Sequence, residues 1–166
     1  MKRPKNLLIT LALALGVSLL WVILLLVYSW AYTTAKLRLA HLEGVYLSAE
    51  EGMLARIARG YAPPYEVEIT YAGTNSFDGG SPHVWYVIAC VWAERRSDGS
   101  PVGSKTHDYD QPGSFFLDTK DGWVYIPEGA FPEFIGFWMK VYGLAGPGSS
   151  QPSHPRESGA RHGCVR

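Results

Sequence analysis

From Leu7 to Tyr28 the chain reads LLITLALALGVSLLWVILLLVY, an almost unbroken apolar run, and no charged side chain occurs from Asn6 to Ala35. As a helix, at about 1.5 Å per residue, that run is roughly 33 Å long, enough to cross a hydrocarbon core of about 30 Å. The pattern predicts a transmembrane helix over residues 7–32, with Tyr28, Trp30 and Tyr32 at the membrane interface, where amphipathic rings are favoured. A cleaved secretory signal has a shorter apolar region, about 7 to 15 residues, ending at a small-x-small site. Here the passable site, Thr33-Thr34-Ala35, lies beyond the run, so an uncleaved signal-anchor is expected. No ionisable residue lies in the span, which argues against a proton relay or ion pathway there.

Beyond the span, Leu37, Leu39, Leu42, Val45 and Tyr46 form an apolar stripe, so the helix is expected to continue as a stalk over residues 33–47, ending near Gly44. Ser48-Ala49-Glu50-Glu51 matches a capping box, in which the Ser48 hydroxyl accepts from the amide of residue 51 and Glu51 reaches back to the amide of Ser48. A helix follows with Met53, Leu54, Ile57 and Tyr61 on one face, stopped by Gly60 and Pro63. Acids in a first turn complement the helix dipole, which accounts for Glu50 and Glu51 without catalysis.

Tyr65, Val67, Ile69 and Tyr71 alternate with Glu66, Glu68 and Thr70, the signature of a half-buried strand. Residues 83–94, HVWYVIACVWAE, are apolar on both faces and predict a central strand. Two further strands, SFFLD and WVYI, flank Thr119-Lys120-Asp121-Gly122, a tight-turn sequence whose Asp-Gly supplies positive φ. Phe131, Phe134, Ile135, Trp138, Met139, Val141 and Tyr142 then recur at helical spacing, with Pro132 suited to a first-turn position and Gly143 to a C-terminal stop.

These elements predict an α+β protein: one N-terminal transmembrane helix, then a small antiparallel sheet of about four strands with helices packed on one face. The arrangement resembles cystatin-like and NTF2-like folds in architecture only, a helix lying across a curved antiparallel sheet, and no motif implies a shared function. The expected division is a cytoplasmic stub over 1–6, the span over 7–32, the stalk over 33–47, an extracytoplasmic domain over 48–145 and a disordered tail over 146–166. Proline, glycine and serine dominate that tail, leaving too little apolar surface for a core.

The net charge is zero, with 15 basic and 15 acidic residues, but it is unevenly spread. Residues 1–34 carry +3, residues 35–145 have nine basic side chains against fourteen acids for −5, and the tail carries +2. Lys2, Arg3, Lys5 and the terminal amine outweigh Lys36 and Arg38, so the positive-inside bias places the N-terminus in the cytoplasm of a single-pass cell-membrane protein. An acidic domain without a basic stripe argues against nucleic acid. Residues 35–145 hold 18 aromatic residues, expected mainly as core packing with an aromatic-lined surface as the alternative.

Specific chemistry is sparse. Cys90 lies mid-strand and Cys164 lies 74 residues later in the tail, so no structural disulfide is expected, and an unpaired Cys164 outside the membrane could bond between molecules. The loop 73–82 holds Asn75, Ser76 and Asp78 but does not match calcium-loop spacing, and no metal ligand set is expected. The loop 96–113 is about eighteen residues long, more than an ordinary connection, and contains His107, Asp108 and Asp110. These three are the weak catalytic candidates: an imidazole beside carboxylates is what an anchored hydrolase would need, although a single loop is a poor scaffold for a triad. With no catalytic motif and no cofactor expected, the chain reads as a non-catalytic accessory or sensor. Its expected partners are the bilayer, through residues 7–32, and a membrane or envelope protein. A membrane-anchored hydrolase using the 96–113 loop is the enzymatic alternative. A structural subunit that docks the helix Phe131 to Tyr142 on a partner or a membrane is the third.

Overall fold

The computed structural model describes residues 4–74, 81–104, 106–127, 129–148 and 164. Helix α1 (Pro4–Glu43) runs 40 residues without a break. It is long and apolar enough to cross a membrane, and its most apolar window is not buried in the protein. Every residue from Ile9 to Tyr28 is exposed, whereas from Ser29 onward one stripe, Ser29, Thr33, Leu37 and Ala40, is buried. Steps of three or four residues keep that stripe on a single helix face. Leu39 and Leu42, expected to share the apolar stripe, are exposed instead, because the packed face is the one carrying the small residues Ser29, Thr33 and Ala40.

Within the segment read as a stalk, strand β1 (Val45–Tyr46) follows α1 directly. Helix α2 (Ala49–Gly60) starts at Ser48, whose Oγ accepts from the Glu51 amide at 3.1 Å. The return bond of the box differs from expectation: Glu51 Oε2 accepts from the amide of Leu47 at 2.7 Å rather than from that of Ser48. The buried face of α2 is Ala49, Gly52, Met53 and Ile57, so Leu54 falls on the solvent side.

Strands β2 (Tyr65–Thr74), β3 (Val84–Ala93), β4 (Gly113–Thr119) and β5 (Gly122–Ile126) complete one antiparallel sheet in the order β1-β5-β4-β3-β2. The sheet thus has five strands rather than about four, since a two-residue strand gives no periodicity to detect. The strand expected to be central, β3, is interior, flanked by β2 and β4, while the middle place belongs to β4. A bulge at Thr70 shifts the β2–β3 register between Ile69 and Tyr71. An extra residue reverses which side chains face each way. Tyr65, Val67 and Ile69 pack against the α2-side core as expected, but past the bulge Ala72 takes that face, Tyr71 leaves it, and Thr70 is buried. The β4–β5 hairpin turns through Lys120 and Asp121, with Gly122 at φ +127.

The largest departure from expectation is that helices cover both faces of the sheet. On one face α2 packs Met53 and Ile57 against Trp85, Val87, Phe116 and Trp123. On the other, α1 and helix α3 (Pro132–Val141) pack Leu37, Ala40, Ile135 and Met139 against Val84, Leu117, Val124 and Ile126. One glycine per face permits the close approach: a Cβ on Gly52 would run into the Phe116 ring, and one on Gly136 into Val84 Cγ2. Alternation along β3, β4 and β5 supplies both cores, so a near-continuous apolar strand such as β3 signals cover on two sides.

A second correction concerns the cysteines, which were not expected to pair with each other. Cys90 and Cys164 form a disulfide, with Cα atoms 5.7 Å apart. Separation of 74 positions along the chain places no limit on distance in space. The tail expected over 146–166 lies outside the described residues except for 146–148 and 164, as does the loop cluster Asn75, Ser76 and Asp78.

Candidate functional site

The long loop is fixed at one carboxylate. Asp110 Oδ2 accepts from Arg96 Nε at 3.0 Å, from Arg96 Nη2 at 2.8 Å and from the Tyr61 hydroxyl at 3.2 Å. Its Oδ1 accepts from the Gly103 amide at 3.2 Å. The Asp110 backbone pairs with Val91 in both directions, at 2.9 and 3.0 Å, which ties this node to β3. Burial, then the Asp110 charge and its hydrogen bond, push the Tyr61 phenol up to about 12. The hydrogen bond and charge of Asp110 also raise Arg96. At the start of the loop, Asp98 Oδ1 accepts from the Ser100 amide at 2.8 Å and hydroxyl at 2.6 Å, which holds that carboxyl below its ordinary range.

The candidates His107, Asp108 and Asp110 are therefore not assembled as an acid–base set. His107 and Asp108 are exposed, and the His107 ring lies 5.0 Å from that of Tyr109, centroid to centroid. Asp110 faces the other way, into Arg96 and Tyr61. Beside this node a groove of about 550 Å³ opens between α2 and the end of the loop, lined among others by Arg56, Tyr61, Tyr86, Arg96 and Gln111. The Arg56 guanidinium stacks 3.4 Å over the Tyr125 ring, so its charge is held at a fixed place by the sheet. Among the described residues no group of three or more His, Cys, Asp or Glu side chains is placed to hold a metal ion.

A second surface lies where α1 leaves its exposed run. Here α3 runs antiparallel to α1: Phe134 meets Tyr32 edge to face at 5.7 Å, while Tyr142, just past the last turn, reaches Ser29 and Leu26. The Tyr142 hydroxyl donates to the Leu26 carbonyl at 3.0 Å and sits 2.8 Å from the Ser29 hydroxyl, which itself donates to the Leu26 carbonyl at 2.9 Å. Rings continue the contact, with Tyr28 stacked on Tyr32, and Trp138 meeting Phe134 at 6.2 Å and Tyr142 at 5.4 Å. The rings of α3 do not all face the sheet. The side chains turned to the sheet are the non-aromatic positions Ile135, Gly136 and Met139, whereas Phe131 is 70%, Phe137 58% and Val141 54% exposed.

The expected interface residues Tyr28 and Tyr32 belong to this surface, and Trp30 is exposed on another side of α1. Sequence reasoning missed Ser29, Tyr61 and Arg96. The spacing of Phe134, Trp138 and Tyr142 at four-residue steps was readable, but nothing local marked Ser29 as their partner on α1. In comparisons with protein-family models, with curated proteins and with solved structures, nothing matches this chain.

Proposed function

We propose that the chain is a single-pass cell-membrane protein, N-terminus in the cytoplasm, whose extracytoplasmic domain is a non-catalytic binding module, an accessory or sensor unit for another membrane or envelope protein. The observation that carries this reading is that α1 passes without a break from a fully exposed apolar run into a stripe buried in the domain core. The domain is thereby held in one pose at the membrane exit, with α1 and α3 on one face of the sheet. The groove beside Tyr61 and Arg96 is on the α2 side, opposite the anchor, and is open to a partner. The Cys90–Cys164 disulfide supports the extracytoplasmic side, since such bonds persist in oxidising compartments.

Two measurements test the proposal. A photo-crosslinking residue at Gln111, in the groove, is expected to capture a discrete membrane or envelope protein in intact cells, and Arg56→Glu is expected to abolish that adduct. Absence of any adduct from the groove would remove the binding-module reading. For topology, a cysteine at Ser100 is expected to react with an impermeant reagent from outside intact cells; reaction only after lysis would reverse the orientation.

A further inference from the structure

We infer that α3 is a second membrane contact, its outward aromatic face resting in the headgroup layer of the leaflet from which α1 emerges; this rests on the reading of α1 as a spanning helix. Depth is the first observation. The apolar run Leu7–Tyr28 is twenty-two residues, about 33 Å of helix, enough to cover the hydrocarbon thickness of a bilayer. Its outer end therefore falls near Tyr28, and the Tyr142 hydroxyl is bonded to the carbonyl of Leu26, inside that run. The C-terminal end of α3 is held at the hydrocarbon edge by a bond to the spanning helix itself.

Continuity is the second observation. Phe137, Trp138 and Val141 stand on the part of α3 next to this bond, and the ring contacts Tyr28–Tyr32–Phe134–Trp138–Tyr142 join them to the lipid-facing side of α1; the charges of this patch, Lys36 at 5.7 Å over the Tyr32 ring and Glu133 beside Phe134, lie at its end away from Tyr142. Exposed apolar surface of this kind is costly in water and is what an interfacial helix buries about 5–10 Å into the boundary layer. The polar elements fit that placement as well. Lys140, exposed in the last turn, has a flexible stem that lets its ammonium reach lipid phosphates, and the Tyr142 hydroxyl is already satisfied within the protein. A water-soluble partner approaching this face would have to displace headgroups, so lipid is the occupant that the depth of the patch selects.

The test uses the full chain in vesicles of phosphatidylcholine and phosphatidylglycerol. A nitroxide is attached to one introduced cysteine at a time, Leu20→Cys, Ser100→Cys, Phe137→Cys or Val141→Cys, without reductant so that Cys90–Cys164 stays closed. Collision with oxygen, which partitions into lipid, and with a water-soluble nickel chelate reports depth. Position 20 is expected deep in lipid and position 100 in water, with positions 137 and 141 showing an oxygen-to-nickel ratio several-fold above that at 100. If 137 and 141 both match position 100 while 20 is deep, the α3 contact is overturned and the anchor stands. If position 20 also reads as water, the spanning reading fails and takes this inference with it. Spin–spin broadening at 137 that grows with protein density would instead assign the face to a second copy, overturning the lipid contact.

Discussion

At Asp110 two carboxylate oxygens take four donors, one guanidinium supplying two of them. Replacing Asp110 by Ala leaves the Tyr61 hydroxyl and the Gly103 amide without their acceptor, and losses of that kind cost about 1–3 kcal/mol. Asp110→Ala is expected to lower the thermal midpoint and to speed amide exchange across 96–113, while His107→Ala, at an exposed side chain, should change stability by less than about 0.5 kcal/mol. An equal loss from both variants would contradict the node. Tyr61 adds a pH signature. Its folded value, about 12, lies above the ordinary 10.0, so the folded protein holds this proton more tightly than the unfolded chain does. The stabilisation is complete below pH 10 and is lost as the pH rises towards about 12. Unfolding curves between those limits should flatten in Tyr61→Phe, and the absorbance of ionising tyrosine should lose its latest-titrating component. The sequence placed His107, Asp108 and Asp110 in one long loop. It could not show which way each points, because that is decided by Tyr61 at the end of α2 and Arg96 just past β3.

Helices α2 and α3 each lie close to the sheet through one glycine, and the two sites predict opposite outcomes from a third, unpacked glycine. Gly136→Val must push into Val84, and overpacking of this kind costs about 1–3 kcal/mol. Gly60 has no heavy atom within 4 Å of where a Cβ would be, so Gly60→Ala should be neutral or gain up to about 1 kcal/mol through helix propensity. Denaturant midpoints of the two variants moving the same way would argue against this packing. Element type and order were legible: the long apolar helix, the Ser48 cap, the alternation of β2 as far as Ile69, the Asp-Gly turn and the Pro132 start are in place. What was not legible was contact between elements. Leu39 and Leu42 made a better apolar stripe on paper than Ser29, Thr33 and Ala40, but close approach of α3 selects small residues rather than greasy ones. Likewise β1 is two residues long and exists because β5 offers it an edge, at Val45 opposite Val124 and Tyr46 opposite Trp123.

On the scale of the whole molecule, the disulfide joins an interior strand to the far end of the chain, 74 residues away. Closing a loop of that size in the unfolded ensemble stabilises a protein by about 2–4 kcal/mol. Peptide mapping without reductant is expected to recover a Cys90–Cys164 linked pair with no free thiol, and reduction, or Cys164→Ser, to lower stability by that amount. Recovery of dimers linked through Cys164 would contradict the intramolecular pairing. The divided charge, +3, −5 and +2 along the chain, pointed to an orientation, but the pairing of the two cysteines had no local signal. The absence of a joint in α1 carries a mechanical consequence. With Ser29, Thr33, Leu37 and Ala40 built into the core and Tyr142 bonded to Leu26, the domain turns with α1 as one lever. Under the proposed spanning role of α1, a thinner bilayer that makes the helix lean would swing the α2-side groove through the same angle, so lipid thickness alone could aim the groove toward a neighbour or away from it.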